Sequence, residues 1–129
     1  MPAMDQYSTR KYGFLLLPDF TMISVSACVE TLRMANRISG DNLYEYELFS
    51  LDGSSVAASN GLTLHPISEL SQDVNPEAIF VCAGLSLNRE WEQKLSKQLR
   101  PLARKKVILG GICTGSYLLA RIGQLEGYR

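Results

Sequence analysis

The sequence predicts an α/β domain in three layers, a mainly parallel sheet with helices on both faces. Three observations carry this. Residues 12–17, 78–82 and 106–110 are short, almost wholly apolar runs, the pattern of strands buried on both faces. Longer amphipathic segments at 24–38, 88–103 and 114–122 follow those runs. Turn residues stand between them. Strands of this kind, joined through helices, form parallel sheets because each crossover lays a helix on a sheet face.

The elements follow in order. Residues 1–11 are polar and lack a signal-peptide core, so they read as a disordered lead-in. Residues 12–17 form the first strand, bounded by Pro18-Asp19. In 24–38, Val25, Cys28, Val29, Leu32, Ala35 and Ile38 recur at helical spacing, and Gly40 can end that helix. Residues 44–51 alternate apolar and polar side chains, which suits a strand, and Asp52-Gly53 is a turn. Residues 56–64 read as a short strand or a hairpin about Asn60-Gly61, and 66–76 as a connector with room for one helical turn.

The run at 78–82 is the second buried strand, closed by Ala83-Gly84. The segment 88–103 is a helix with Trp91, Leu95, Leu99 and Leu102 on one side, and Pro101 should end or kink it. Residues 106–110 are the third buried strand. The last helix, 114–122, would turn Tyr117, Leu118 and Ile122 inward and stop at Gly123.

Composition bounds the function. The 129 residues suit one domain, and 46% hydrophobic against 20% charged is too apolar for a disordered chain. Lys+Arg and Asp+Glu number 13 each, a net charge of zero, so no generally basic nucleic-acid surface is expected. Cys28, Cys82 and Cys113 are dispersed, without a CxxC pair, which argues for neither a disulfide framework nor a zinc site. No apolar run approaches a membrane span, and neither a metal nor a cofactor is expected. A reducing compartment, the cytoplasm, is the expected location.

The feature richest in chemistry is Gly110-Gly111-Ile112-Cys113-Thr114-Gly115, a turn from strand to helix. It matches the nucleophile elbow G-x-S/C-x-G, with Cys113 at the nucleophile position. The residues two before and two after a strained elbow must be small, and Gly111 and Gly115 are. A reactive thiol, or an anion pocket at the helix start, would follow. The plainer reading is a tight Gly-Gly turn with Cys113 packed as a small hydrophobe. The two readings stand level on the motif.

Other candidates are weaker. Nucleophilic catalysis needs a base, and the lone histidine, His65, sits beside Pro66 with no evident partner, which fits a connector better. Gly84-Leu85 offers a backbone donor at a strand end, or a plain turn. Ser24 is expected to cap the first helix and Asn36 to serve its far end. Cys28 and Cys82 read as core, and Glu30 with Arg33 as a surface ion pair.

Four motifs, in order, carry a resemblance over nearly the whole chain. Gly111-Ile-Cys-Thr-Gly-Ser-Tyr-Leu-Leu-Ala120, followed by residues 123–127, resembles the elbow helix of the PfpI-like, class I glutamine-amidotransferase-like superfamily. Phe20-Thr-Met-Ile-Ser24 with residues 29–37, then Phe49-Ser-Leu-Asp-Gly53 and Ala58-Ser-Asn-Gly-Leu62, is similar to the N-terminal domain of a subgroup of AraC-type transcriptional regulators.

The resemblance implies a flavodoxin-like fold over residues 12–129, incomplete at its C-terminal end. It implies a ligand-sensing, homodimerising domain, with DNA bound only through a helix-turn-helix domain missing from this chain. The implied effector is a small amine or amino-acid-like metabolite. A pocket is expected at the strand ends from Ser24, Gly84, Leu85, Cys113 and Thr114. The alternative is a cysteine-dependent hydrolase or a glyoxalase- or deglycase-like enzyme with Cys113 as nucleophile. Against it, the acidic residue of many such enzymes aligns with Ser24, and their downstream histidine has no counterpart. A third reading is a stand-alone homologue that pairs with an intact regulator.

Overall fold

Strands and helices alternate much as expected. The computed structural model describes residues 8–66, 68–71, 74–86 and 88–124. The elements are β1 (Arg10–Leu16), α1 (Met22–Ser39), β2 (Tyr44–Ser50), β3 (Val56–Ala57), β4 (Thr63–Leu64), β5 (Ser68–Glu69), β6 (Ala78–Cys82), α2 (Arg89–Arg104), β7 (Ile108–Ile112) and α3 (Gly115–Arg121). The main sheet runs β5-β2-β1-β6-β7, with every pair parallel.

Helices cover both faces, as predicted. On one face Leu95, Leu99 and Leu102 of α2 and Leu118 and Leu119 of α3 meet Leu15, Phe49, Ile79 and Val81. On the other, α1 lays Val25, Cys28, Val29 and Leu32 over Phe14, Leu16 and Cys82. Alternation along β1 divides the two sets: Phe14 and Leu16 face α1, while Leu15 faces α2.

The hairpin about Asn60-Gly61 forms, with β3 antiparallel to β4 and the Asn60 side chain accepting from the Leu62 N–H at 3.0 Å. It is pinned to the loop after β1, because the Asp19 N–H donates to the Ala57 carbonyl and the Ser59 N–H to Phe20, each at 2.9 Å.

Several expectations need correction. Residues 10 and 11 are not lead-in but the start of β1, paired with Tyr44 and Glu45 of β2. Their charges are met by Glu77 and Glu45, at 2.7 and 3.8 Å, so the polar sequence does not break the ladder. Residues 1–7 of the predicted lead-in lie outside the described residues, as do 125–129. The connector at 66–76 carries a two-residue strand, β5, and residues 67, 72 and 73 of it lie outside the described residues.

Pro101 lies inside α2, which continues to Arg104. The third strand begins two residues later than expected because Lys106 adopts a left-handed φ of 66° and the Val107 N–H turns back to Leu102. Among the described residues it lies at the edge of the sheet, and Ile108 is 59% exposed. In α1 the outermost predicted core position, Ile38, is exposed. In α3 the inward face is Gly115, Leu118, Leu119 and Ile122, at i, i+3, i+4 and i+7, so Tyr117 points outward.

Candidate functional site

Three of the segments singled out in the sequence meet where the strand order reverses. From β1 the chain crosses to β2 on one side, and later to β6 and β7 on the other. Crevices form at the carboxyl ends of strands flanking such a reversal. The loop after β1, Gly84 after β6 and Cys113-Thr114 after β7 all leave the sheet at that end.

The elbow has the geometry its spacing demands. Cys113 links β7 to α3 with φ 57°, the left-handed region that few residues other than glycine adopt. A Cβ at Gly111 would meet the Ser116 backbone nitrogen, and one at Gly115 would collide with the Val81 carbonyl. Both glycines are therefore required by close backbone approach. Cys113 is exposed, and its sulfur lies 3.5 Å from the Thr21 hydroxyl, where either group can donate. The Ser116 hydroxyl donates back to the Cys113 carbonyl at 3.2 Å.

Gly84 locks the neighbouring segments together. A Cβ there would strike the Asp19 carbonyl, so glycine lets the loop after β1 close onto the end of β6. Asp19 itself turns with φ 63°. The Thr114 hydroxyl donates to the Gly84 carbonyl, which ties the ends of β6 and β7. Leu85 is 95% exposed.

Ser24 falls in the first turn of α1 and is half-buried. It is not the cap: the N-cap residue is Thr21, and its side chain makes no capping bond. Thr21, which the sequence reading passed over, is the residue that reaches Cys113. Its signal was present, a cap-type residue directly before the periodic apolar segment.

The remaining candidates fall into structural roles. His65 does have a partner, since Ser55 Oγ lies 2.6 Å from its Nδ1, but it sits beyond β4 and is exposed. Cys82 is fully buried, its thiol pushed far up by burial, with Cys28 adding to the effect. Asn36 ties the end of α1 to β2 by donating to the Tyr44 carbonyl at 2.8 Å and accepting its N–H at 3.0 Å. Glu30 and Arg33 form the expected pair, and the bond with Glu30 holds the guanidinium above its ordinary value. Among the described residues, no cluster of His, Cys, Asp or Glu is suited to a metal.

Chemically, then, the junction offers an exposed thiol, a threonine hydroxyl and a rigid backbone. The hydroxyl beside Cys113 is not a general base at neutral pH.

Comparison with known proteins fixes the relationship. No protein-family model matches the chain. The HTH-type transcriptional regulator GbdR of Pseudomonas aeruginosa is 43% identical over 116 residues, 90% of this chain and 32% of that protein. The regulator CdhR of the same species is 40% identical over 94% of this chain and 36% of its own length. The crystal structure of an AraC family transcriptional regulator from Pseudomonas putida superposes with a TM-score of 0.83 at 30% identity, over 92% of this chain and 64% of that one.

The chain is similar to one part of AraC-type transcriptional regulators. A DJ-1 superfamily protein from Agrobacterium tumefaciens shares the fold at a TM-score of 0.68 and 22% identity, covering 92% of this chain and 61% of its own. The chain spans about a third of the length of the two curated relatives. Among its described residues no helix is long and apolar enough to cross a membrane.

Proposed function

We propose that the chain is the ligand-sensing and dimerisation domain of an AraC-type regulator, answering in the cytoplasm to a small amine or amino-acid-like metabolite. The observation that carries this is the extent of the match: 90% of the chain aligns with about a third of a helix-turn-helix regulator. DNA contact then belongs to a helix-turn-helix domain outside these residues. The effector sits at the junction of strand ends, against Ser24, Gly84, Leu85, Cys113 and Thr114, with Thr21 as a sixth contact. The junction ties three loops together, so occupancy there can bias the arrangement of two subunits.

An apolar stripe on α1 supports a homodimer. Ile23, Met34 and Ile38 are 77, 41 and 79% exposed. At about 100° per residue they fall within about 60° of one another on the helix wheel. Such a stripe is the usual mark of a protein contact.

The domain acts without catalysis, because the neighbour of Cys113 is a threonine hydroxyl rather than a base. The second reading, a cysteine enzyme, draws on the exposed thiol at a strained elbow. A thermal-shift screen of amines and amino acids, run beside ester, amide and aldehyde turnover assays, separates the two. A sensor gains stability with one ligand, by about 2.7 kcal/mol at a hundredfold excess over Kd. It turns over nothing. Turnover that Cys113→Ala abolishes, with no stabilising ligand, would replace this reading with the enzyme.

A further inference from the structure

We infer that α1 docks on α1 of a second copy of the chain, antiparallel and about a two-fold axis, with the Ile23 end of one helix against the Ile38 end of the other. This rests on the homodimer reading and gives it a contact and an orientation. Val25, Cys28, Val29 and Leu32 turn α1 towards the sheet. At about 100° per residue, Ile23, Ala27, Met34 and Ile38 point about 160° away from that direction, to the outer side of the helix. All four are exposed.

The spacing of this stripe is the same read from either end. Ile23, Ala27, Met34 and Ile38 follow one another in steps of 4, 7 and 4 residues. A reversed copy therefore meets its own pattern. Ile23 lies opposite Ile38 of the partner subunit, and Ala27 opposite the partner's Met34, a small side chain facing a long one. A two-fold axis makes each contact twice. The seam runs about 22 Å along the helix.

Charge selects the direction. The three charged residues of α1, Glu30, Arg33 and Arg37, all fall on one flank of the stripe. In a parallel pair that flank would face the partner's other flank, which carries no charge. In an antiparallel pair like flanks face each other. The midpoint of the stripe lies between Glu30 and Thr31, so Glu30 comes beside Arg33 of the partner subunit, about 3 Å along the axis from directly opposite. The two-fold axis makes that crossed ion pair twice. The Thr31 hydroxyl donates to the Ala27 carbonyl at 2.6 Å, so the middle of the seam buries no unmet hydroxyl.

The seam begins beside the candidate site. Ile23 stands two residues after Thr21, whose hydroxyl lies 3.5 Å from the Cys113 sulfur.

Sedimentation velocity tests this with no ligand present, so the result does not depend on the effector. The chain should sediment as a dimer. Glu30→Arg leaves the flank only positive, and Arg33→Glu sets two carboxylates side by side. Each alone should weaken dimerisation about tenfold, because two attractive pairs across the seam become repulsive. An equal mixture of the two variants should recover a dimer, since the charges of one then complement those of the other. Urea midpoints should stay at that of the parent chain, because both side chains are exposed. A parent chain that sediments as a monomer overturns this contact together with the homodimer reading. A dimer that neither variant weakens overturns the contact and leaves the homodimer standing. Variants that weaken the dimer without recovery on mixing overturn the antiparallel pairing.

Discussion

The two faces of the sheet are built to different degrees of closure. Under α2 and α3 the packing is dense: Leu95, Leu99, Leu102 and Leu118 are each 0% exposed, and Trp91 and Ile122 seal the edges. Arg121 on α3 binds Glu92 on α2 through two bonds, at 3.2 and 3.3 Å, joining the helices over that core. Under α1 only Val25 of the whole helix is buried, and Cys28, Val29 and Leu32 are partly covered. The outer side of α1 carries a second apolar stripe open to solvent. Among the described residues the α2 and α3 face is the more closely packed. The other leaves apolar side chains, Ile23, Met34 and Ile38, open to solvent.

Three changes sharpen this contrast. Leu99→Ala, at the centre of the closed face, should have the largest effect, a loss of about 2–5 kcal/mol from transfer and cavity terms. Urea denaturation measures it, and a loss under 1 kcal/mol would mean that face is looser than it looks. Leu32→Ala, on the inner side of α1, removes the same atoms from a half-covered site and should cost about 1–2 kcal/mol by the same measurement. Equal losses at the two positions would erase the difference between the faces. Ile38→Lys, on the outer stripe, should change stability by less than about 0.5 kcal/mol. It should nevertheless shift a dimer towards monomer in analytical ultracentrifugation, and an unchanged sedimentation profile would remove α1 as the contact.

Much of this was legible in the residues. The run at 78–82 became β6 without a shift, because five consecutive apolar residues satisfy a strand buried on both sides. The elbow was equally plain, since G-x-C-x-G can turn that sharply only where its flanking positions lack a Cβ. The strand at 106–110 was misplaced because the pattern of apolar residues does not show where a backbone reverses. The reversal came from the left-handed Lys106, which no composition signal marks.

By itself the sequence determined the class of fold, the order of its layers and the position of a strained cysteine. Each rests on interactions between residues near in the chain: periodicity, turn chemistry, and glycine where a side chain cannot fit. Only the tertiary structure decided that Thr21 meets Cys113 across 92 positions of chain. It alone decided that Gly84 carries the carbonyl that holds Thr114, and that Asn36 ties the end of α1 to Tyr44. Those facts depend on which strands lie side by side and on how far each runs before it turns. Contacts between distant segments are set by the packing of the whole sheet, and no local pattern of residues encodes them.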